Sequence, residues 1–449
     1  MRISWPTVGV RCRGSGVGNA DPLKPIPYSR PQSPMKMRAL FVTHDSLLNP
    51  ILHSQGLPHI RELVKRGMSF TILSFEKRGW NEEEKRRIAK IKTMLKDQGI
   101  DWRILRYVKL PFLPTGAIDI LSGFIYSSLL VLVKRIRVVH ARSYVPAAIG
   151  LLLKKLLRVE FIFDLKGLFA DEYAAVGNWS TKGIFYRLTK IMEKLCILSA
   201  DINVVVSEPF KDYIKGLPYV KNARRDVPVE MIPNCVDVDR FTLNPVERDR
   251  KRRESNLSGR LLLVYTGSLV KWQLPEEMVD IFCRLKSRSE DACFWIITYD
   301  DPSNIGDYLK MKGLRDQDFS LFSAPPDEVA SYVMMGDVGI SFGQPTFTRQ
   351  VATFPIKFAE YLASGLPVVI NSGIGGIDNI VSDYNLGVVI DKFEADNYVN
   401  AVEKLIVLLG EGEPLKKRCR RVAEELLSLN TAVDKYYRIY RRLCDRSGG

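Results

Sequence analysis

FPIKFAEYLASGLPVV, Phe354–Val369, reads as a short helix that runs into a buried strand. Pro355 suits a first helical turn, where its missing N–H costs nothing. Phe354, Phe358, Tyr361 and Leu362 recur at helical spacing and make a core-facing stripe. The free N–H groups of the first turn, the helix dipole and Lys357 together form an anion site. Glu360, a turn further in, is placed to accept hydrogen bonds from hydroxyls of whatever carries that anion. Phosphate plus ribose is the economical reading. The competing one is an ordinary amphipathic helix with Lys357 and Glu360 solvated.

Outward from this stretch the chain alternates strand and helix. Downstream and just upstream lie LLLVYTG from Leu261, CFWIIT (Cys293–Thr298), VGISF (Val338–Phe342), PVVIN (Pro367–Asn371) and GVVID (Gly387–Asp391). An earlier series holds RALFVT (Arg38–Thr43), Ser69–Phe75, VVHA (Val138–Ala141), FIFD (Phe161–Asp164) and INVVV (Ile202–Val206). His53–Arg66 and Asn81–Gln98 read as helices among them, and Leu415–Cys444 as a charged helix that crosses back onto the first series. Strands separated by helices imply parallel sheets with right-handed crossovers, whose ligands bind at the carboxyl ends of the strands. Between Val220 and Ser258 prolines and charges break the alternation and read as a connection. The predicted fold is α/β, two Rossmann-like domains facing across a cleft. The expected division is a disordered tail over 1–35, a first domain over 36–240, a linker over 241–258, a second domain over 259–414 and a closing helix over 415–449.

The 449 residues exceed one compact core and suit two domains of about 200 residues each. A net charge of +15 points to an anionic partner. Nucleic acid is not expected, because basic and aromatic residues do not alternate along a strand and no helix-turn-helix spacing is visible. Seven scattered cysteines without a CxxC pair favour a reducing, cytoplasmic compartment and no zinc site. Met35 and Met37 precede the first strand closely enough to suggest that translation starts there. Ile120–Val133, ILSGFIYSSLLVLV, falls short of the roughly 20 residues that cross a bilayer and reads as a buried helix. Its basic flank, Lys134, Arg135 and Arg137, also allows peripheral contact with an anionic membrane at the inner face of the plasma membrane.

Three motifs carry a family resemblance. MIPNCVDVDRF (Met231–Phe241) is similar to an "iPNGVD…F" linker, with Cys235 at a usual glycine; YTGSL (Tyr265–Leu269) resembles the glycine turn after a first donor-domain strand; PIKFAEYLASGLPVV followed by NSGIGGIDNIV looks like a donor-binding helix, strand and Gly-Gly turn. Together they resemble the retaining glycosyltransferases of the GT-B fold, family GT4, over about residues 38–440. FDLKGLFADEY (Phe163–Tyr173) and GSLVKWQ (Gly267–Gln273) add a likeness to bacterial cell-surface polysaccharide enzymes. The pattern departs where the family's first of two glutamates is Ala352, where Arg is commonly found at Ser268, and where Asn379 replaces a frequent Glu.

The resemblance implies a nucleotide-sugar donor and a lipid-linked or surface-glycan acceptor. It implies donor contacts from Gly267, Ser268, Lys271, Arg349, Pro355, Lys357, Glu360, Gly375 and Gly376. Negative charge builds on the departing diphosphate while the sugar turns oxocarbenium-like, so fixed cations such as Lys271, Arg349 and Lys357 would stabilise the transition state. The leaving phosphate can itself take the acceptor proton, so no carboxylate pair is required. Lys166, Asp171 and Glu172, just after a strand end, are candidates for catalysis at the acceptor, against a solvated helix start. Neither a cofactor nor a metal is called for: Asp237-Val238-Asp239 spells D-x-D but reads as a turn within the linker motif. His44 is a further candidate for ligand contact, and His140 reads as packing. Two rivals remain open. A nucleotide-sugar epimerase would want converging carboxylates and histidines, and only four histidines are present. A non-catalytic scaffold of this fold would suit Ala352 and Ser268.

Overall fold

The computed structural model describes residues 37–107 and 115–446; the tail, the proposed start at Met35 and Cys12 lie outside them. Its strands form two all-parallel sheets. The first contains β1 (Arg38–Thr43), β2 (Ser69–Glu76), β3 (Asp101–Arg106), β4 (Val138–Arg142), β5 (Glu160–Asp164), β6 (Ile202–Val205) and β7 (Val229–Met231), in the order β3-β2-β1-β4-β5-β6-β7. The second contains β8 (Leu262–Thr266), β9 (Cys293–Ile297), β10 (Phe319–Phe322), β11 (Val338–Ser341), β12 (Val368–Asn371) and β13 (Gly387–Ile390), in the order β10-β9-β8-β11-β12-β13. In each, the run that starts the series lies centrally, and the order reverses on either side of it. Such a switch point opens a crevice at the carboxyl ends of the strands. This is the GT-B architecture.

Helices cover both faces of the first sheet. Leu130 and Val131 of the helix Thr115–Lys134, and Ile149 and Leu153 of the helix Tyr144–Leu157, pack on β1 and β2 through Leu40, Val42, Leu73 and Phe75. On the opposite face, Val433, Tyr436 and Tyr440 of the helix Leu429–Arg446 share a core with Phe41, Phe70 and Ile72. The chain's last helix thus belongs to its first sheet.

Four expectations are corrected. The stretch Ile120–Val133 is not a buried helix: Leu121, Ile125, Leu129, Leu132 and Val133 are each more than half exposed, because one side alone meets the sheet and its neighbour. His53–Arg66 is two helices, Pro50–Gln55 and Leu57–Lys65, parted at Gly56, where a Cβ would lie 2.5 Å from Leu52. Leu415–Cys444 is likewise two, Glu413–Leu426 and Leu429–Arg446. Between them the chain is spliced to the linker, with Val236 N–H donating to Leu427 O and Leu429 N–H to Val236 O, both 2.8 Å. The segment 220–258 is no bare connection, since it supplies β7 and the helix Pro245–Glu254. Arg252 of that helix is buried, and its guanidinium donates to the carbonyls of Met335 (2.6 Å) and Leu257 (2.9 Å) and to Asp337 (3.1 Å). A charged sequence here is an anchor because both terminal nitrogens of its buried Arg find acceptors.

Candidate active site

The helix Ile356–Ala363 starts after Pro355 and lays Phe358, Tyr361 and Leu362 into the core. That leaves Lys357 and Glu360 on its remaining surface, and the structure sends them to different cavities. Lys357 faces a cavity of about 580 Å³ between the two sheets. Glu360 faces a neighbouring one of about 510 Å³ with Arg61 and Arg240. Ile356 lines both, so the first turn of this helix is the wall between them.

Lys357 Nζ donates to Tyr265 Oη at 3.1 Å and lies 4.2 Å from the centre of that ring. Neither contact cancels its charge. Burial therefore pulls the ammonium down to about 7, against the attraction of Glu360, while burial pushes the Glu360 carboxyl up to about 7, against Arg240 and Lys357. Gly267 explains the glycine turn after β8. Its φ is +141° and a Cβ there would sit 2.8 Å from Lys357 Nζ, so a side chain would evict the lysine. The Tyr265 hydroxyl, in turn, donates to Ser268 O at 2.6 Å, which makes Ser268 a backbone support rather than a wall of the cavity.

From the first half come Arg142, at the end of β4, and Lys166, two residues beyond β5. Asp164 lies beneath both, 3.0 Å from Lys166 Nζ and 3.7 Å from the Arg142 guanidinium, with His140 Nε2 at 3.5 Å. Burial alone would raise the Asp164 carboxyl, but Lys166, His140 and Arg142 outweigh it and hold it well below the usual range. Burial lowers Lys166, with Asp164 opposing. Tyr440 of the last helix hydrogen-bonds His140 Nδ1 at 2.7 Å and fixes the ring from below. Ser143, also on the cavity wall, adopts φ +73° and ψ −174°, a conformation ordinarily left to glycine and often held at functional sites.

Of the residues singled out in the sequence, Lys166, Glu172, Arg349, Pro355 and Lys357 line this one cavity. Burial lowers Arg349 and raises Glu172, and each offsets part of the other's shift. Asp171 points elsewhere: it accepts from Tyr186 Oη at 2.8 Å and from Lys190 Nζ at 3.0 Å. Lys271 is solvent-exposed, and Gln273 of the same turn lines the cavity in its place. Gly375 and Gly376 serve close approach. A Cβ on Gly375 would lie 1.6 Å from Thr353 O, and one on Gly376 3.1 Å from Pro209 of the first half. His44 pairs with Asp119 at 2.9 Å outside the cavity. Asp237 accepts from the N–H groups of Asp239 and Arg240, a turn. Cys235 lies 2.9 Å from His59 Nε2, both buried; burial lifts the thiol to about 12 and drops the imidazole to about 3, so this is a neutral pair.

Arg142 and Asn234 escaped the sequence reading. Arg142 directly follows VVHA, where the rule of ligands at strand ends would have flagged it. Asn234 donates to Phe354 O at 2.7 Å and so ties the linker motif to the Pro355 turn, a contact without sequence signature.

The family description "Glycosyltransferase Family 4" matches residues 59–240, and "Glycosyl transferases group 1" matches 247–425. The chain is similar to a GDP-mannose-dependent alpha-(1-6)-phosphatidylinositol monomannoside mannosyltransferase of Mycobacterium tuberculosis, 26% identical over 190 residues, which is 40% of this chain and 47% of that protein. The chain thus spans about half the length of the curated relatives it matches. Among solved structures, sucrose-phosphate synthase from Thermosynechococcus elongatus superposes with a TM-score of 0.67 at 13% identity, over 92% of this chain and all of that one. Anabaena HepE in complex with UDP-glucose gives 0.65 at 12% identity, over 90% of this chain and all of that one.

Proposed function

This chain belongs to the group 1, family 4 glycosyltransferases, and from that premise we propose that it moves a sugar from a nucleotide-sugar donor onto a lipid-linked or glycan acceptor with retention at the anomeric carbon. One observation carries the reading. Arg142 and Lys166 from one half, and Arg349 and Lys357 from the other, converge on a single cavity of about 580 Å³.

The donor half, 259–414, holds the diphosphate. Lys357, Arg349 and the first turn of the helix Ile356–Ala363 face the place where leaving-group charge grows, and fixed cations aimed there stabilise that charge more than they stabilise the ground state. The nucleoside passes over Ile356 toward Glu360, whose carboxyl takes a ribose hydroxyl, while Gly267, Ser268, Gly375 and Gly376 keep the surrounding backbone close. The first half, 36–240, holds the acceptor. Its hydroxyl attacks from the side on which the phosphate leaves, and the departing phosphate oxygen takes its proton. Glu172 and Lys166 orient the acceptor, with Asp164 setting the direction of Lys166. Ala352 lines the cavity where a carboxylate is common in the family, so the sugar is held there by shape and by neighbouring backbone rather than by an acidic side chain.

Calorimetric titration with a panel of nucleoside diphosphates and their sugars tests this. One nucleotide should bind, and more weakly in both Lys357→Ala and Glu360→Ala. Binding without transfer to any lipid-linked acceptor would favour a scaffold, and no binding to the folded protein would overturn the donor site.

A further inference from the structure

We infer that the outer face of the first half, built from the helices Thr115–Lys134, Tyr144–Leu157 and Ile184–Ser199, docks side-on to an anionic lipid bilayer. The helix Tyr144–Leu157 packs between the other two, so the three form one layer on the sheet. Its two flanks both turn apolar stripes outward. On the first, Leu121, Ile125, Leu129 and Leu132 follow one another at helical spacing and are 56 to 64% exposed. On the last, Ile184, Leu188, Ile191 and Leu195 do the same at 43 to 61% exposed. A helix normally turns such a stripe into a core, and apolar exposure on this scale marks an interaction site.

Charge chooses the partner. Asp119 and Glu193 are the carboxylates on these helices among the described residues, and both are buried. Among the described residues, the exposed charges on these helices and within three residues of their ends are Arg135, Arg137, Lys155, Arg158, Lys182, Arg187 and Lys194, all cationic. Apolar stripes on helices whose exposed charges are cationic match an anionic lipid surface, where acyl chains take the stripes and headgroups the rim. A second copy of the same face would meet its own positive charge.

The helix Thr115–Lys134 has the length and composition to span a membrane, but it is fastened to the protein. A Cβ on Gly123 would lie 2.4 Å from Ile149 and 2.9 Å from Phe75, a close approach that only a packed helix makes. It lies along the surface. The face also reaches the active site: Phe169 and Glu172 line the cavity, while Tyr173 and Val176 of the same turn are exposed on the way to Ile184. A lipid-linked acceptor could keep its chain in the bilayer with its head in the cavity. That use rests on the proposed function, whereas the affinity for lipid does not.

Co-sedimentation of the full chain with phosphatidylcholine vesicles, and with the same vesicles containing phosphatidylglycerol, tests the inference. The wild type should partition onto the anionic vesicles about tenfold or more over the neutral ones. A variant carrying Ile125→Glu, Leu129→Glu, Leu188→Glu and Ile191→Glu should lose that partition while binding nucleoside diphosphate like the wild type. A second, with Arg135→Glu, Lys155→Glu and Arg158→Glu, should lose the preference for anionic lipid. Wild type that ignores both vesicles overturns the inference, as do variants that bind like wild type. So does a solution dimer, measured by light scattering, that the apolar variant dissociates. Vesicle binding without any nucleotide binding would instead sink the donor reading and leave this surface standing.

Discussion

The two halves bring opposite charge economies to the same cavity. In the first, Asp164 is surrounded by Lys166, Arg142 and His140, so each charge has a partner before any ligand arrives. In the second, Lys357 meets the hydroxyl and ring of Tyr265 and, among the described residues, no carboxylate within ion-pair distance, and Glu360 looks into the next cavity. The paired cluster fixes side-chain directions. The unpaired lysine, pulled down to about 7 by burial, recovers its solvation when an anion binds.

The contrast can be broken most forcefully from the paired side. Asp164→Asn leaves Lys166 without its counter-charge and Arg142 with the partly exposed Asp45 at 3.6 Å, and should cost about 3–5 kcal/mol in urea unfolding. Because the Asp164 carboxyl is held below its unfolded range, this stability is present above about pH 4 and should fade below it in the wild type only. A loss under about 1 kcal/mol would mean the cluster is not a unit.

Lys357→Ala, by comparison, should spare the fold and weaken nucleoside diphosphate binding by about 1.5–3 kcal/mol, the size of a hydrogen bond to a charged group. Equal calorimetric affinity in variant and wild type would place the diphosphate elsewhere.

A subtler effect is on pH. Above about 7 Lys357 loses its proton and Glu360 is ionised, so both changes subtract positive charge from the site. Affinity for the diphosphate, itself fully ionised there, should fall from pH 7 to pH 9, with proton uptake on binding measurable in buffers of different ionisation enthalpy. In Lys357→Ala this slope should flatten; an unchanged slope would assign the titration to another group.

The smallest effect belongs to Lys271→Ala. Exposed and outside the cavity, Lys271 should change neither stability nor nucleotide affinity by more than about 0.5 kcal/mol. A larger loss of affinity would mean that the turn 271–273 moves onto the bound donor.

Ten of the thirteen strands were legible as apolar runs. The three missed, β3, β7 and β10, each lie at the edge of a sheet. DWRILR in β3 shows why: only Trp102 is buried, so an edge strand lacks the unbroken apolar run that burial on both faces writes into a central one. In the site, Pro355, Lys357 and Glu360 could be read from one helix start, because a first turn is local geometry. Arg142 could not be joined to Lys357 in the same way, since the two meet only when both sheets present their strand ends to one cleft.

By itself the sequence determined the alternation of strand and helix, the two halves, the glycine turn at Gly267 and the start of the helix after Pro355. All of these depend on neighbours a few residues apart. Tertiary structure alone decided that Lys357 and Glu360 part company across Ile356, that Arg252 is an anchor, and that ILSGFIYSSLLVLV turns half its apolar side chains outward. Period fixes which residues share a face, but what covers that face is set by segments far away in the chain.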